Sequence, residues 1–329
     1  MTTLKTLGER KIIELLLEQF EKMPNMAIPF GDDVAAYPAG DKELFILKTD
    51  MLVGKTDVPA GMSLWQAARK AVVMNISDFA AKGVKPRAIL VSLGLPDHLT
   101  KKNITEIGAG LNAGAREYDT YILGGDTGEA SDLVISLAVF GTAEKGNVML
   151  RSGAKPGDLV AVSGFFGKTP CGLKILLGKL GASRKVRQVL VDSVLMPKAR
   201  FKEGLALSKT RTVTAAIDSS DGLAWSLHEI SRASGVGIVV EKLPTAGEAA
   251  KFAETNSLDP LELTLYGGEE YELVLTVKPK LWQKALEASG GKLLLVGKVT
   301  AEKRVIFVSH GKRHVVEPRG YEHFKSTNV

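Results

Sequence analysis

Three short apolar runs in this chain each lead into an aspartate: residues 44–50 (L-F-I-L-K-T-D), 121–127 (Y-I-L-G-G-D-T) and 213–218 (V-T-A-A-I-D). Runs of this length read as strands, so the pattern predicts strands that deliver acidic groups to their ends. The middle run places a glycine pair, Gly124 and Gly125, ahead of Asp126 and Thr127. It predicts a buried strand whose backbone is bared as it leaves the sheet, an exit suited to a phosphate or a hydrated metal.

A chain of 329 residues is long for one core, and two domains are expected. Composition turns to Gly, Pro and charge over residues 146–157 (G-N-V-M-L-R-S-G-A-K-P-G), which divides the chain into 1–147 and 148–329 with Arg151 at the junction. In the first half the spacing predicts an amphipathic helix over 4–23, a helix from an N-cap at Ser63 to about residue 82, and a helix over 100–119 weakened by Gly108, Gly110 and Gly114. Strands are expected at 44–50, 87–96 and 133–142, giving an α+β layer arrangement. The second half predicts strands at 158–163, 213–218, 236–241, 292–299 and 305–308, and helices over 172–180, 184–194, 197–208, 246–254 and 280–288.

Several function classes are disfavoured. No apolar run approaches the ~20 residues that span a bilayer, and the N-terminus lacks a signal-peptide core, so a cytoplasmic protein without a membrane partner is expected. The net charge of +6 is spread over short basic groups without interleaved aromatics, so no nucleic-acid partner is expected. Cys171 is the one cysteine, which leaves neither an internal disulfide nor a thiolate metal site. The five histidines lack ligand spacing, and no Ser-His-Asp set can be defended. The tempting G-F-F-G-K-T at 164–169 is not a phosphate loop, because Val162 stands where that motif requires glycine.

What remains is acidic. Asp32 and Asp33 sit on a loop between Pro29 and a following strand, and Asn75 and Asp78 share a helical face with Ala68 and Ala71. Asp218, Ser220 and Asp221 surround a strand-to-helix turn, where free helix N–H groups suit an anion. Taken singly, the aspartate pair reads as a solvated turn and the helical pair as a polar flank. Together Asp33, Asp50, Asp78, Asp126, Asp218 and Asp221, with Thr49, Thr127 and Ser220, form an oxygen-only set. Hard oxygen ligands without His or Cys suit Mg²⁺, and magnesium held by many carboxylates suits the handling of nucleotide phosphates, ATP above all.

Seven segments in order carry a resemblance: G-D-D-V-A (31–35), K-T-D (48–50), N-I-S-D-F-A-A-K-G (75–83), G-G-D-T (124–127), R-S-G-A-K-P-G-D (151–158), A-I-D-S-S-D-G-L (216–223) and G-G-E-E-Y-E-L (267–273). The chain resembles the thiamine-monophosphate kinases, of the superfamily that includes aminoimidazole ribonucleotide synthetase and selenophosphate synthetase. The resemblance implies a two-domain α+β fold, with an N-terminal mixed sheet and helices that dimerises and a C-terminal α/β domain. It implies a homodimer that phosphorylates thiamine monophosphate with ATP by in-line, magnesium-assisted transfer.

By the same resemblance Asp33, Thr49, Asp50, Asp78, Asp126, Asp218 and Asp221 hold several Mg²⁺ ions. Gly125, Asp126, Arg151 and Ser220 touch the nucleotide, and Asp126, Asp218 and Arg151 serve catalysis. Asp57, Glu269 and Tyr321 line the thiamine site. The chain departs from many bacterial members at Asp57, where they carry histidine, and at Lys48, where they carry a small hydroxyl residue. The alternatives are another ATP-using enzyme of the superfamily, of the aminoimidazole ribonucleotide synthetase kind, and a non-catalytic Mg²⁺-nucleotide sensor. A selenophosphate synthetase needs a reactive cysteine near the N-terminus, and Cys171 comes too late for that. Hydrogenase-maturation relatives end in cysteine, whereas this sequence ends Thr-Asn-Val.

Overall fold

A computed structural model describes residues 3–325 except Lys179. The first half holds α1 (Leu4–Leu7), α2 (Glu9–Leu17), β1 (Ala35–Pro38), β2 (Glu43–Val53), α3 (Gly54–Asp57), α4 (Leu64–Lys82), β3 (Lys85–Leu95), α5 (Lys101–Glu117), β4 (Ile122–Glu129) and β5 (Val134–Glu144). The second half holds β6 (Leu159–Val162), α6 (Lys168–Leu176), α7 (Arg184–Leu195), α8 (Phe201–Thr210), β7 (Val213–Ser219), α9 (Leu223–Ser234), β8 (Gly237–Val240), α10 (Gly247–Thr255), α11 (Pro260–Tyr266), β9 (Glu272–Val277), α12 (Trp282–Ala288), β10 (Leu294–Thr300), β11 (Val305–Ser309) and β12 (Lys312–Val315). Position 179, within the span expected to be helical, lies outside the described residues.

Two mixed sheets result. The first has order β1-β2-β5-β3-β4, and the second β12-β11-β8-β10-β6-β9-β7. Pairing is antiparallel apart from β3 with β4 and β8 with β11 among the described residues. The α+β expectation holds, and helices pack on both sheets.

Helix α4 lies between the sheets and organises both halves. It packs on β2 and β5 from the first sheet and on β7 and β9 from the second. Ser63 caps it as predicted: its hydroxyl accepts from the Gln66 N–H, and the Gln66 side chain accepts from the Ser63 N–H. Across residues 67–82 every side chain except Met74 is buried. The polar flank facing water that Asn75 and Asp78 suggested is therefore absent. A helix enclosed on all sides has no solvent face to give to polar residues.

Three further expectations change. The first helix is broken at Gly8, whose φ of 74° leaves the helical region, and α2 stops at Leu17 well before Pro24. The glycines of α5 are packing devices: a Cβ on Gly110 would lie 2.2 Å from the Trp65 carbonyl oxygen, and one on Gly114 2.8 Å from Val72 Cβ, so α5 seats directly on α4. Strand β4 is an exposed edge strand, with Leu123 71% exposed, and it runs on through the G-G-D-T segment. A strand paired on one side only keeps the other edge in solvent, so its apolar run does not report burial.

Replacement of Gly110 by alanine should destabilise the protein by about 1–3 kcal/mol through overpacking against α4. Gly108→Ala, at a position open to solvent, should be neutral or stabilising by up to about 1 kcal/mol. Urea denaturation of both variants reads the difference, and equal losses would contradict the α4–α5 contact.

Candidate active site

Where the sheets diverge beside α4, a cleft of about 450 Å³ opens. Asp78 enters it from α4 and Asp218 from the end of β7, and Asp33, on the loop before β1, lies buried beside them. All three are buried, and one carboxylate oxygen from each lies within 4.8 Å of the others. Asp50 lines the same cleft because alternation along β2 puts Lys48 and Asp50 on the inner face.

Three cations answer these carboxylates. Lys82 Nζ, fully buried at the end of α4, lies 2.6 Å from Asp32 Oδ1 and 2.8 Å from Asp33 Oδ2, and donates to the Ala216 carbonyl. Arg151 Nε donates to Asp33 Oδ1 at 2.6 Å, and its Nη1 donates to the Gly31 carbonyl and to Glu229. Lys48 Nζ stands 2.9 Å from Asp78 Oδ2.

The balance is incomplete. Six carboxylates, Asp32, Asp33, Asp50, Asp78, Asp218 and Glu229, face these three cations, and of these Glu229 also pairs with Arg10 and Arg232. Burial works against ionisation of Asp33, but Lys82 and Arg151 outweigh it and hold its carboxyl below the usual range. Burial pushes Asp78 well up; Lys48 opposes this while Asp218, Asp33 and Asp50 add to it. Asp218 is pushed to about 6 by burial and then by Asp33, despite the hydrogen bond from Ser77 Oγ at 2.7 Å. Carboxylates strained in this way are relieved by a cation, and an all-oxygen donor set of this kind fits a hard divalent ion such as Mg²⁺.

The remaining predicted residues divide into two groups. Ser220 and Asp221 reach the cleft; Asp221 Oδ2 accepts from Arg10 Nη2 at 3.0 Å, and burial raises its pKa to about 6. Glu269 lines it and pairs with Lys70 Nζ at 2.5 Å. Tyr321 lines it too, its N–H donating to the Asp221 carbonyl. Asp57 lies there with its Oδ2 accepting from the Val53 N–H, which closes the short turn of α3.

Thr49 and the β4 residues lie elsewhere within the chain. Thr49 projects from the outer face of β2 and lines a separate apolar groove. Register puts Asp126 beside Ser92, then Ser136, then Met51, on the outer face of the first sheet. It is three strands, roughly 14 Å, from β2. Gly125 is required by strand packing, since a Cβ there would meet the Val91 carbonyl oxygen at 1.7 Å. Asn75 also stays out of the cleft: it is buried and donates back to the Ala71 carbonyl.

Sequence reasoning passed over Lys70, Lys82 and Arg10. A signal existed for the first two, because positions 70, 74, 78 and 82 repeat every four residues on one stripe of α4. Arg10 had none; it arrives from α2, stacks over Trp225 at 3.4 Å and bonds across the chain to Asp221.

Residues 31–143 match AIR synthase related protein, N-terminal domain, and residues 155–310 match AIR synthase related protein, C-terminal domain. The thiamine-monophosphate kinase of Nitrosopumilus maritimus is 36% identical over 287 residues, covering 86% of this chain and 90% of its own. The chain belongs to the thiamine-monophosphate kinase family. The family's Pyrococcus horikoshii member is likewise 36% identical, over 319 residues and 96% of each chain. Among solved structures, AaThiL complexed with AMPPCP and TMP superposes with a TM-score of 0.86 at 29% identity, covering 98% of this chain and 99% of that one. In this family member Asp33 and Asp78 fall in the first matched region and Asp218 in the second, so the cluster draws on both.

Asp218 offers a test of the charge balance. Its folded pKa of about 6 exceeds the ordinary 3.8, so it favours the fold while protonated. That contribution is present below about pH 4 and lost as pH rises through about 6. Asp218→Asn cannot ionise. In EDTA it should match the parent near pH 4 and exceed it at pH 8 by up to about 3 kcal/mol, at about 1.36 kcal/mol per pKa unit. Urea denaturation across that range decides, and no gain at pH 8 would refute the excess of negative charge.

Proposed function

We propose that the protein transfers the γ-phosphoryl group of ATP directly to the phosphate of thiamine monophosphate, yielding thiamine diphosphate and ADP. The observation that carries this reading is the buried carboxylate cluster, set in a family fold whose solved relative is complexed with AMPPCP and TMP. AMPPCP is an ATP analogue with a methylene in place of the bridging oxygen between the β- and γ-phosphorus atoms. The reading includes a cytoplasmic location.

Asp33, Asp50, Asp78, Asp218 and Asp221 would hold Mg²⁺. Bound there, the ions would offset the charge of two approaching phosphate groups. Arg151 is assigned to nucleotide phosphate, which competes with Asp33 and Glu229 for its guanidinium. Ser220, at the turn into α9, is assigned to the nucleotide as well. Asp57, Glu269 and Tyr321 form the acceptor end, with Lys70 holding Glu269 in place. A phosphate monoester with a second pKa near ~6 is mostly a dianion at neutral pH, so the acceptor needs no proton removed. The chain's task is then to position two anions and neutralise them.

The reading includes a homodimer formed by the first sheets. Phe45, Leu47, Met51, Leu90 and Leu123 are exposed on the outer face, and Phe45 meets Phe140 edge to face. An apolar face of this extent is what a second copy would cover. Asp126 and Thr49 share that side of the sheet, and we assign their catalytic and metal contacts to the partner's cleft.

Incubation with Mg-ATP and thiamine monophosphate should produce thiamine diphosphate and ADP in equal amounts. ATP binding without product would favour a nucleotide-binding protein that does not turn over. Asp126→Asn and Asp78→Asn should each depress turnover by at least ~10²-fold, and Asp126→Asn should leave stability within about 0.5 kcal/mol, as for other surface sites. Unfolding and refolding the two variants together should restore about a quarter of wild-type activity, because half the dimers are hybrids with one intact site each. Failure to complement would place Asp126 outside the partner's cleft.

A further inference from the structure

We infer that Lys48 is a tethered cation of the metal cluster: its ammonium holds Asp78 Oδ2 in place of a divalent ion, so the loaded site binds one metal fewer. The inference rests on the phosphotransfer reading above. Its ground is geometric. Lys48 extends from the inner face of β2 into the cleft, and Nζ lies 2.9 Å from Asp78 Oδ2. Asp50 stands two residues along the same strand face, and Asp218 enters from β7. A lysine side chain is a cation at neutral pH, and its contact with Asp78 pairs that charge with a carboxylate. A lysine ammonium is a compact point charge with three donors, comparable in role to a hydrated ion among carboxylates.

Position distinguishes Lys48 from the other two cations of the cluster. Lys82 lies beneath Asp32 and Asp33 and has a backbone carbonyl as its third partner. Arg151 is shared with Glu229. Lys48 alone among them spans toward the Asp78 side, where Asp78, Asp50 and Asp218 gather. A tethered charge is present at every Mg²⁺ concentration, so the cluster keeps part of its neutralisation when metal is scarce.

The experiment counts Mn²⁺ bound per full-length chain with AMPPCP, from the electron paramagnetic resonance of the free ion. Lys48→Ser and Lys48→Gln should each bind one more Mn²⁺ than wild type, and Lys48→Arg the same number; equal counts in all four proteins would overturn the inference. Circular dichroism in saturating Mn²⁺ checks that each variant is folded. A second measurement needs no variant: manganese anomalous scattering from the wild-type protein with AMPPCP should show Lys48 still on Asp78 Oδ2. A Mn²⁺ ion on that oxygen with Lys48 displaced would equally overturn it. Wild-type formation of thiamine diphosphate is assayed in parallel, so loss of the kinase reading is seen separately from loss of the Lys48 assignment.

Discussion

Enclosing several carboxylates between two sheets is costly unless positive charge accompanies them, and α4 is the element that makes the enclosure tolerable. Lys82 emerges from its last turn beneath Asp32 and Asp33, while Asp78 one turn earlier faces Lys48. The same helix is the packing surface for strands of both sheets. The core and the charge balance of the cleft are therefore one construction: a shift of α4 would misplace the clustered carboxylates and open the hydrophobic interior together.

This coupling accounts for the small residues around the helix. Gly110 and Gly114 let α5 approach along one side, and a Cβ on Gly204 of α8 would lie 2.0 Å from the Ala80 carbonyl oxygen on another. Close backbone approach fixes the helix without large side chains, which leaves the stripe through Lys70, Met74, Asp78 and Lys82 for the cleft. The proposed acceptor end is tied to the same stripe through the pair of Lys70 with Glu269. One rigid element thus positions both ends of the proposed transfer, as a reaction between two anions requires.

Glu269 and Tyr271 show how local strain serves the same end. Both adopt positive φ, 61° and 51°, directly after the glycine pair and before β9. The backbone there is held by the Tyr271 N–H donating to the Ser219 carbonyl at 2.9 Å. A carboxylate is thereby turned toward Lys70 and the cleft at a point where a regular strand would alternate it away.

Local patterns in the sequence determined the elements, the two-part organisation and most of the acidic set, because period and capping act over a few residues. Ser63 with Gln66 started α4, and the runs into Asp50 and Asp218 became strands that bring those carboxylates to the cleft. The family, too, was legible, since seven ordered motifs survive without any knowledge of contacts. Only the tertiary structure decided which face each carboxylate presents and what neutralises it. Thr49 and Asp126 went to the outer side of the first sheet, Arg10 came to Asp221 from 211 residues away, and Lys82 found Asp33 across the fold. Counter-charges are chosen by proximity in space, which sequence spacing encodes only where both partners share one helix or strand.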